Sequence, residues 1–188
     1  MNRKGPFSAS VQEIRDRAKE HIKRGAITET YKGDLATSIE ILNEALATEL
    51  VCTLRYKSHY YNADGILSQA VAEEFLEHAV EEQEHADRIA ARIKQLDGRP
   101  DFNPATLLGR SHSEFQQGET LIEMIEEDLI AERIAIDTYR EIVRYFGEKD
   151  PTSRRMMESV LAKEEEHAEE LSSLLFVLDP RRKPEQAA

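Results

Sequence analysis

Four long stretches of this chain repeat an apolar residue at steps of three and four, and each breaks that stripe with carboxylate near its middle. Over 35–62 the stripe runs Leu35, Ile39, Leu42, Leu46, Glu49, Thr53, Tyr56 and Tyr60. Over 67–96 it runs Val71, Phe75, His78, Glu82, His85, Ile89 and Leu96. Over 118–146 it runs Leu121, Ile125, Asp128, Glu132, Ala135, Tyr139, Ile142 and Phe146. Over 152–178 it runs Met157, Val160, Glu164, His167, Leu171, Leu174 and Leu178. Spacing of this kind turns one face of a helix toward partner helices. The pattern predicts an all-α chain built on an antiparallel four-helix bundle.

Punctuation sets the bounds. Asn62 to Gly65 and Gly147 to Pro151 make short connections, which join antiparallel neighbours. The stretch 97–117 is longer and has room to cross the end of the bundle or run along it. Asp34 and Thr152 are the expected N-caps. An extra short helix is expected near 8–24. The division is an N-terminal extension over 1–34, the bundle over 35–178 and a tail over 179–188.

The carboxylates are the puzzle. An unpaired buried carboxylate is costly, and four in one core also repel one another. No Lys or Arg stands at a matching stripe position, so the compensating charge must come from elsewhere. Glu82 with His85, and Glu164 with His167, form two Glu-x-x-His pairs, each on one helix face. With Glu49 and Glu132 they give four carboxylates and two imidazoles, a set able to ligate two metals. The offsets repeat: Glu49 to Glu132 is 83 residues, while Glu82 to Glu164 and His85 to His167 are each 82. Two helical hairpins, related by an approximate two-fold, would each supply half of one binuclear site. Carboxylate and imidazole donors suit iron, manganese or zinc.

Charge supports a cation. The net charge of −12 is concentrated in the bundle: 30 acidic against 14 basic residues over 35–178, with a surplus of basic residues at both ends. An acidic body disfavours nucleic acid and attracts cations. No apolar run approaches a membrane span, MNRKGPFSAS lacks the apolar stretch of a secretory signal, and Cys52 stands alone. A cytoplasmic location is the expectation.

At these residues the chain resembles the ferritin-like superfamily, and within it bacterioferritin and the Dps-like ferritins. The segments NEALATELVCTLRY, EEQEHADRIAARI, EEDLIAERIAIDTYREIV and LAKEEEHAEEL are similar to the four ligand helices, and the resemblance covers 35–178. It implies two iron ions per subunit. Glu49 and Glu132 would be terminal ligands, Glu82 and Glu164 bridges, and His85 and His167 the imidazole ligands. It also implies a ferroxidase: Fe(II) is oxidised by dioxygen or peroxide, and ferric mineral collects inside a hollow homo-oligomer. Bacterioferritin carries its haem-ligating Met directly after the second-helix bridging Glu; Gln83 stands there, so haem is not expected. With no fifth helix after 178, a twelve-subunit shell is expected before one of 24. The cysteine pair of some Dps-like ferritins, and rubrerythrin's four-cysteine module, cannot be built from one Cys.

Around this set, Tyr56 is expected beside the metals, donating a hydrogen bond or an electron. Asp128 reads as a surface acid, with a hydrogen bond to a ligating histidine as the alternative. His78 reads as a core or supporting residue rather than a ligand. Glu81, Glu84, Glu165 and Glu166 are phased away from the stripe and read as solvated, and His21, His59 and His112 carry no pattern. Three competing functions remain: DNA protection through Arg3, Lys4, Arg15, Arg17, Lys19, Lys23 and Arg24, another di-metal oxidase on the same fold, and a metal-free helical interaction protein, which would leave the core carboxylates unexplained.

Overall fold

The computed structural model describes residues 10–20, 22, 25–65, 68–179 and 181. The described residues form six helices: α1 (Val11–Glu20), α2 (Leu35–Asn62), α3 (Ser68–Gln95), α4 (Leu107–Arg110), α5 (Leu121–Phe146) and α6 (Pro151–Leu178). The expected first helix is shorter than predicted, and residues 8, 9, 21, 23 and 24 of that prediction lie outside the described residues. Arg3, Lys4, Lys23 and Arg24, named for DNA binding, lie outside them too. Among the described residues no helix is long and apolar enough to cross a membrane.

Local chemistry fixes the helix ends. Asp34 caps α2, its carboxylate accepting from the Ala36 and Thr37 amides. Thr120 and Glu123 form a reciprocal capping box at α5. Gly147 ends α5 at φ +44°, a conformation that costs glycine little. For α6 the expectation of Thr152 is corrected. Asp150 is the cap, accepting from the Ser153 amide, and Pro151 occupies the first turn, where its missing N–H is no loss.

α2 pairs with α3, and α5 with α6, as two antiparallel hairpins. The connection between α3 and α5 runs along α2 instead of crossing the end. Arg110 donates to the Asn43 carbonyl, the His112 amide to Thr48, and Arg55 to the Glu114 carbonyl. Leu107 of α4 packs on Ala47 and Val51. This strap carries the chain back to the end where α2 finished, so α5 descends antiparallel to α2.

Two apolar clusters fill the interior of the bundle, apart from the small one under α4. One cluster gathers Leu42, Leu46, Ile89, Ile93, Phe146 and Met157. The other gathers Phe75, Ile125, Leu171 and Leu175 with Tyr56. Burying each of the larger side chains stabilises the fold by about 1.5–3 kcal/mol. Between the clusters lies a layer of ionisable residues from all four long helices.

Candidate metal centre

Glu49 of α2, Glu82 and His85 of α3, Glu132 of α5, and Glu164 and His167 of α6 meet in this layer. None of the six is more than 4% exposed. Their ligand atoms fall into two groups. Glu49, Glu82, His85 and Glu164 form one, and Glu82, Glu132, Glu164 and His167 the other, each with its atoms within 4.8 Å of one another. Glu82 and Glu164 belong to both.

The imidazoles face inward through Nδ1. His85 Nδ1 is 3.0 Å from Glu164 and 3.3 Å from Glu49. His167 Nδ1 is 3.2 Å from Glu82 and 3.4 Å from Glu164. Atoms without a hydrogen-bond partner concentrate here: Glu49 Oε2, Glu82 Oε1, Glu132 Oε2, both Glu164 oxygens and Nδ1 of both histidines. Buried polar atoms normally find partners, and a cluster of orphans aimed at one space marks a missing positive charge.

Electrostatics agree. Burial, with Glu49 beside it, pushes the Glu82 carboxyl up to about 7. Burial and the neighbouring Glu82 and Glu164 hold Glu132 well above the usual carboxylate range. For the imidazoles burial opposes charge, but the carboxylates outweigh it, raising His85 to about 10 and His167 to about 12. Two imidazolium charges still offset only half of four carboxylates. Two divalent cations, with neutral imidazoles, offset all four. Donor set, burial and charge fit a metal pair.

Two tyrosines hold the outer oxygens. Tyr56 donates to Glu132 Oε1, and Tyr139 donates to Glu49 Oε1, each reaching across to the other hairpin. Tyr56 thus stands beside the carboxylates. Tyr139 was not singled out by the sequence reading, although the signal was there: it follows Glu132 by seven residues, as Tyr56 follows Glu49.

Other readings are corrected. Glu81 is not simply solvated: it accepts from His167 Nε2 at 2.7 Å and pairs with Lys163. That contact fixes the ring so that Nδ1 points inward. Asp128 is not a surface acid. It is fully buried, bonded by Arg55 Nε at 2.8 Å and His59 Nδ1 at 2.7 Å, and not by a candidate ligand histidine. Arg55 is therefore a core cation that the stripe did not contain, but its charge is committed to Asp128. His59, read as patternless, completes that pocket, and His112 meets Thr48 at 3.2 Å. His78 is buried, bonded to the Tyr56 hydroxyl and to Glu170, and stacked on His167.

Residues 39–179 match the family model described as a ferritin-like domain. A bacterioferritin of Rhodobacter capsulatus is 34% identical over 149 residues, 79% of this chain and 88% of its own length. The dodecameric thioferritin of Bacteroides fragilis, a bacterioferritin-related protein, superposes with a TM-score of 0.78 at 29% identity, covering 90% of this chain and 100% of that one. The structure of Rhodobacter capsulatus bacterioferritin, with a metal-free dinuclear site and haem iron, gives 0.66 at 33% identity, covering 84% and 99%.

Proposed function

The chain belongs to the ferritin-like domain family, and on that premise we propose that it is a ferroxidase and iron store. Its substrate is Fe(II). The oxidant is dioxygen or hydrogen peroxide, and the ferric product is held as mineral in a hollow homo-oligomer. The observation that carries this is the cluster of orphaned carboxylate and imidazole atoms between the two halves of the core.

The roles follow from the ligand groups. Glu82 and Glu164, which belong to both, would bridge two metal positions. Glu49 and His85 complete one position, and Glu132 and His167 the other. Ferrous ions bound there supply the electrons that reduce the oxidant. Tyr56 and Tyr139 hold Glu132 and Glu49 in place. The buried setting keeps bulk water from competing for the carboxylates. Manganese and zinc suit the same donors and are alternative occupants.

Haem is not part of this function. Gln83, directly after Glu82, offers a carboxamide engaged with Asp87 at 3.1 Å, not a thioether. A twelve-subunit shell is the favoured assembly, on the likeness to the dodecameric thioferritin, with 24 subunits as the alternative. DNA protection is not favoured: the bundle over 35–178 carries 30 acidic against 14 basic residues and repels phosphate.

Aerobic Fe(II) loading tests the proposal. The expected result is a large particle by size exclusion, with iron rising far above two per chain and Fe(III) absorbance growing with time. Glu132→Ala abolishes the fast phase and Tyr56→Phe slows it. A chain that stays monomeric and takes up no iron, or a Glu132→Ala variant oxidising at the full rate, contradicts the assignment.

A further inference from the structure

Outside the central layer, one more cluster mixes imidazole with carboxylate. Glu74 and His78 lie one turn apart on α3, and Glu170 faces them from α6. Each offers an atom within 4.8 Å of the others. His78 is 1% exposed, and its Nε2 lies 3.0 Å from Glu170 Oε2 and 3.7 Å from Glu74 Oε1.

Proton accounting on the opposite ring nitrogen makes this arrangement informative. His78 Nδ1 is 3.2 Å from the Tyr56 hydroxyl. Tyr56 has a single proton, and with Glu132 ionised as a metal ligand that proton goes to Glu132 Oε1. This step rests on the proposed reading of the central site. The Tyr56 oxygen must then accept from His78 Nδ1–H. A neutral imidazole protonated at Nδ1 presents a bare lone pair at Nε2, and that lone pair points at two carboxylates. The space between them calls for positive charge, which a proton on Nε2 or on a carboxyl, or a bound divalent cation, supplies; the three ligand atoms, all within 4.8 Å of one another, stand close enough for the cation.

We infer that Glu74, His78 and Glu170 form a third divalent-cation site, with one nitrogen and two oxygen donors, at the mouth of the groove between α3 and α6. The groove has a volume of about 600 Å³ and is also lined by Glu169, which adds negative charge, and by Glu166, which is paired with Lys163. The Glu74 and Glu170 side chains are 32% and 42% exposed, so coordination positions stay open toward solvent. The donor set suits iron, manganese or zinc. A cation here fixes the His78 tautomer that donates to Tyr56. The outer site is thereby linked to Glu132 through two hydrogen bonds, and to His167 through a ring stack of 4.0 Å between centroids.

Zinc counting tests this without redox chemistry. The full chain is saturated with Zn(II), desalted and analysed for metal, and zinc-soaked crystals are measured at the zinc absorption edge. Wild type should hold three zinc ions per chain, with an anomalous peak at His78 Nε2. Glu74→Gln with Glu170→Gln should hold two, and Glu166→Gln should keep three. Both changed residues in the double variant are half-exposed, and an unchanged melting curve of the metal-free form verifies its fold. Two zinc ions in wild type and double variant alike, with no peak at His78, overturn the inference and leave the central reading standing. One zinc in wild type and none in the double variant would uphold the outer site and remove the central one.

Discussion

Asp128 and Glu132 sit one turn apart on α5, both with no exposed surface, and they are buried in opposite ways. Asp128 has both oxygens bonded, one by Arg55 and one by His59. Asp150, at the far end of the bundle, is likewise satisfied by Arg92, Ser153 and Tyr31. Glu132 and its three companions have no Arg or Lys; they have each other, two imidazoles and two phenols. One chain therefore contains both solutions to a buried acid. Where the protein supplies the cation, the pocket closes on itself. Where it does not, oxygen atoms are left aimed at a common space, and that difference is what supports reading the space as a candidate metal site.

The sharpest way to break the comparison is to change one residue in each region of the metal-free protein. Arg55→Met leaves the buried Asp128 carboxylate with His59 alone and should cost about 3–5 kcal/mol in denaturant unfolding. Glu164→Gln removes a charge from a repelling group and should leave stability unchanged or raise it, while lowering metal binding. Equal destabilisation by the two would erase the distinction.

A smaller effect is expected at the support of His167. Glu81→Gln should weaken metal affinity by about tenfold, within the range for residues that orient a ligating histidine. Glu84→Gln, exposed on the same motif, should leave it unchanged. Titration with Co(II), followed by its visible absorption, reads both; equal affinity in the two variants would remove Glu81 from the site.

The smallest effect concerns pH. Burial alone would raise the Asp150 carboxyl, but Ser153 and Arg92 hold it below the ordinary value of 3.8. A depressed carboxyl contributes stability above its unfolded pKa and loses it as pH falls through the folded one. Acid unfolding curves of wild type should therefore steepen below pH 3.8, and Arg92→Met should flatten that limb. An unaltered acid limb would mean that Asp150 is not held by Arg92.

The six central residues were legible in the sequence because ligands must share the helix face that the apolar stripe marks, and because the two halves repeat at nearly one offset. Tyr139 was legible by the same repeat, through its seven-residue step from Glu132. The Arg55 pocket was not. Arg55 stands one residue off the stripe, and its burial depends on the strap at 113–116 lying over α2, which no periodicity reports. Glu81 was hidden for a related reason: its phase points it toward α6, and only the approach of that helix places His167 Nε2 against it. At α6 the cap was misread because Thr152 is a good capping residue, whereas Pro151 belongs in the first turn and leaves the cap to Asp150.

The most direct test is an anaerobic Fe(II) titration of metal-free protein by calorimetry, repeated on Glu132→Ala. Two tight equivalents per chain that are lost or weakened in the variant, beside any taken up at the outer Glu74–His78–Glu170 site, are what buried acids awaiting a cation pair require. Absence of saturable tight binding, or binding indifferent to Glu132, would show that these carboxylates are tolerated in the core for some other reason.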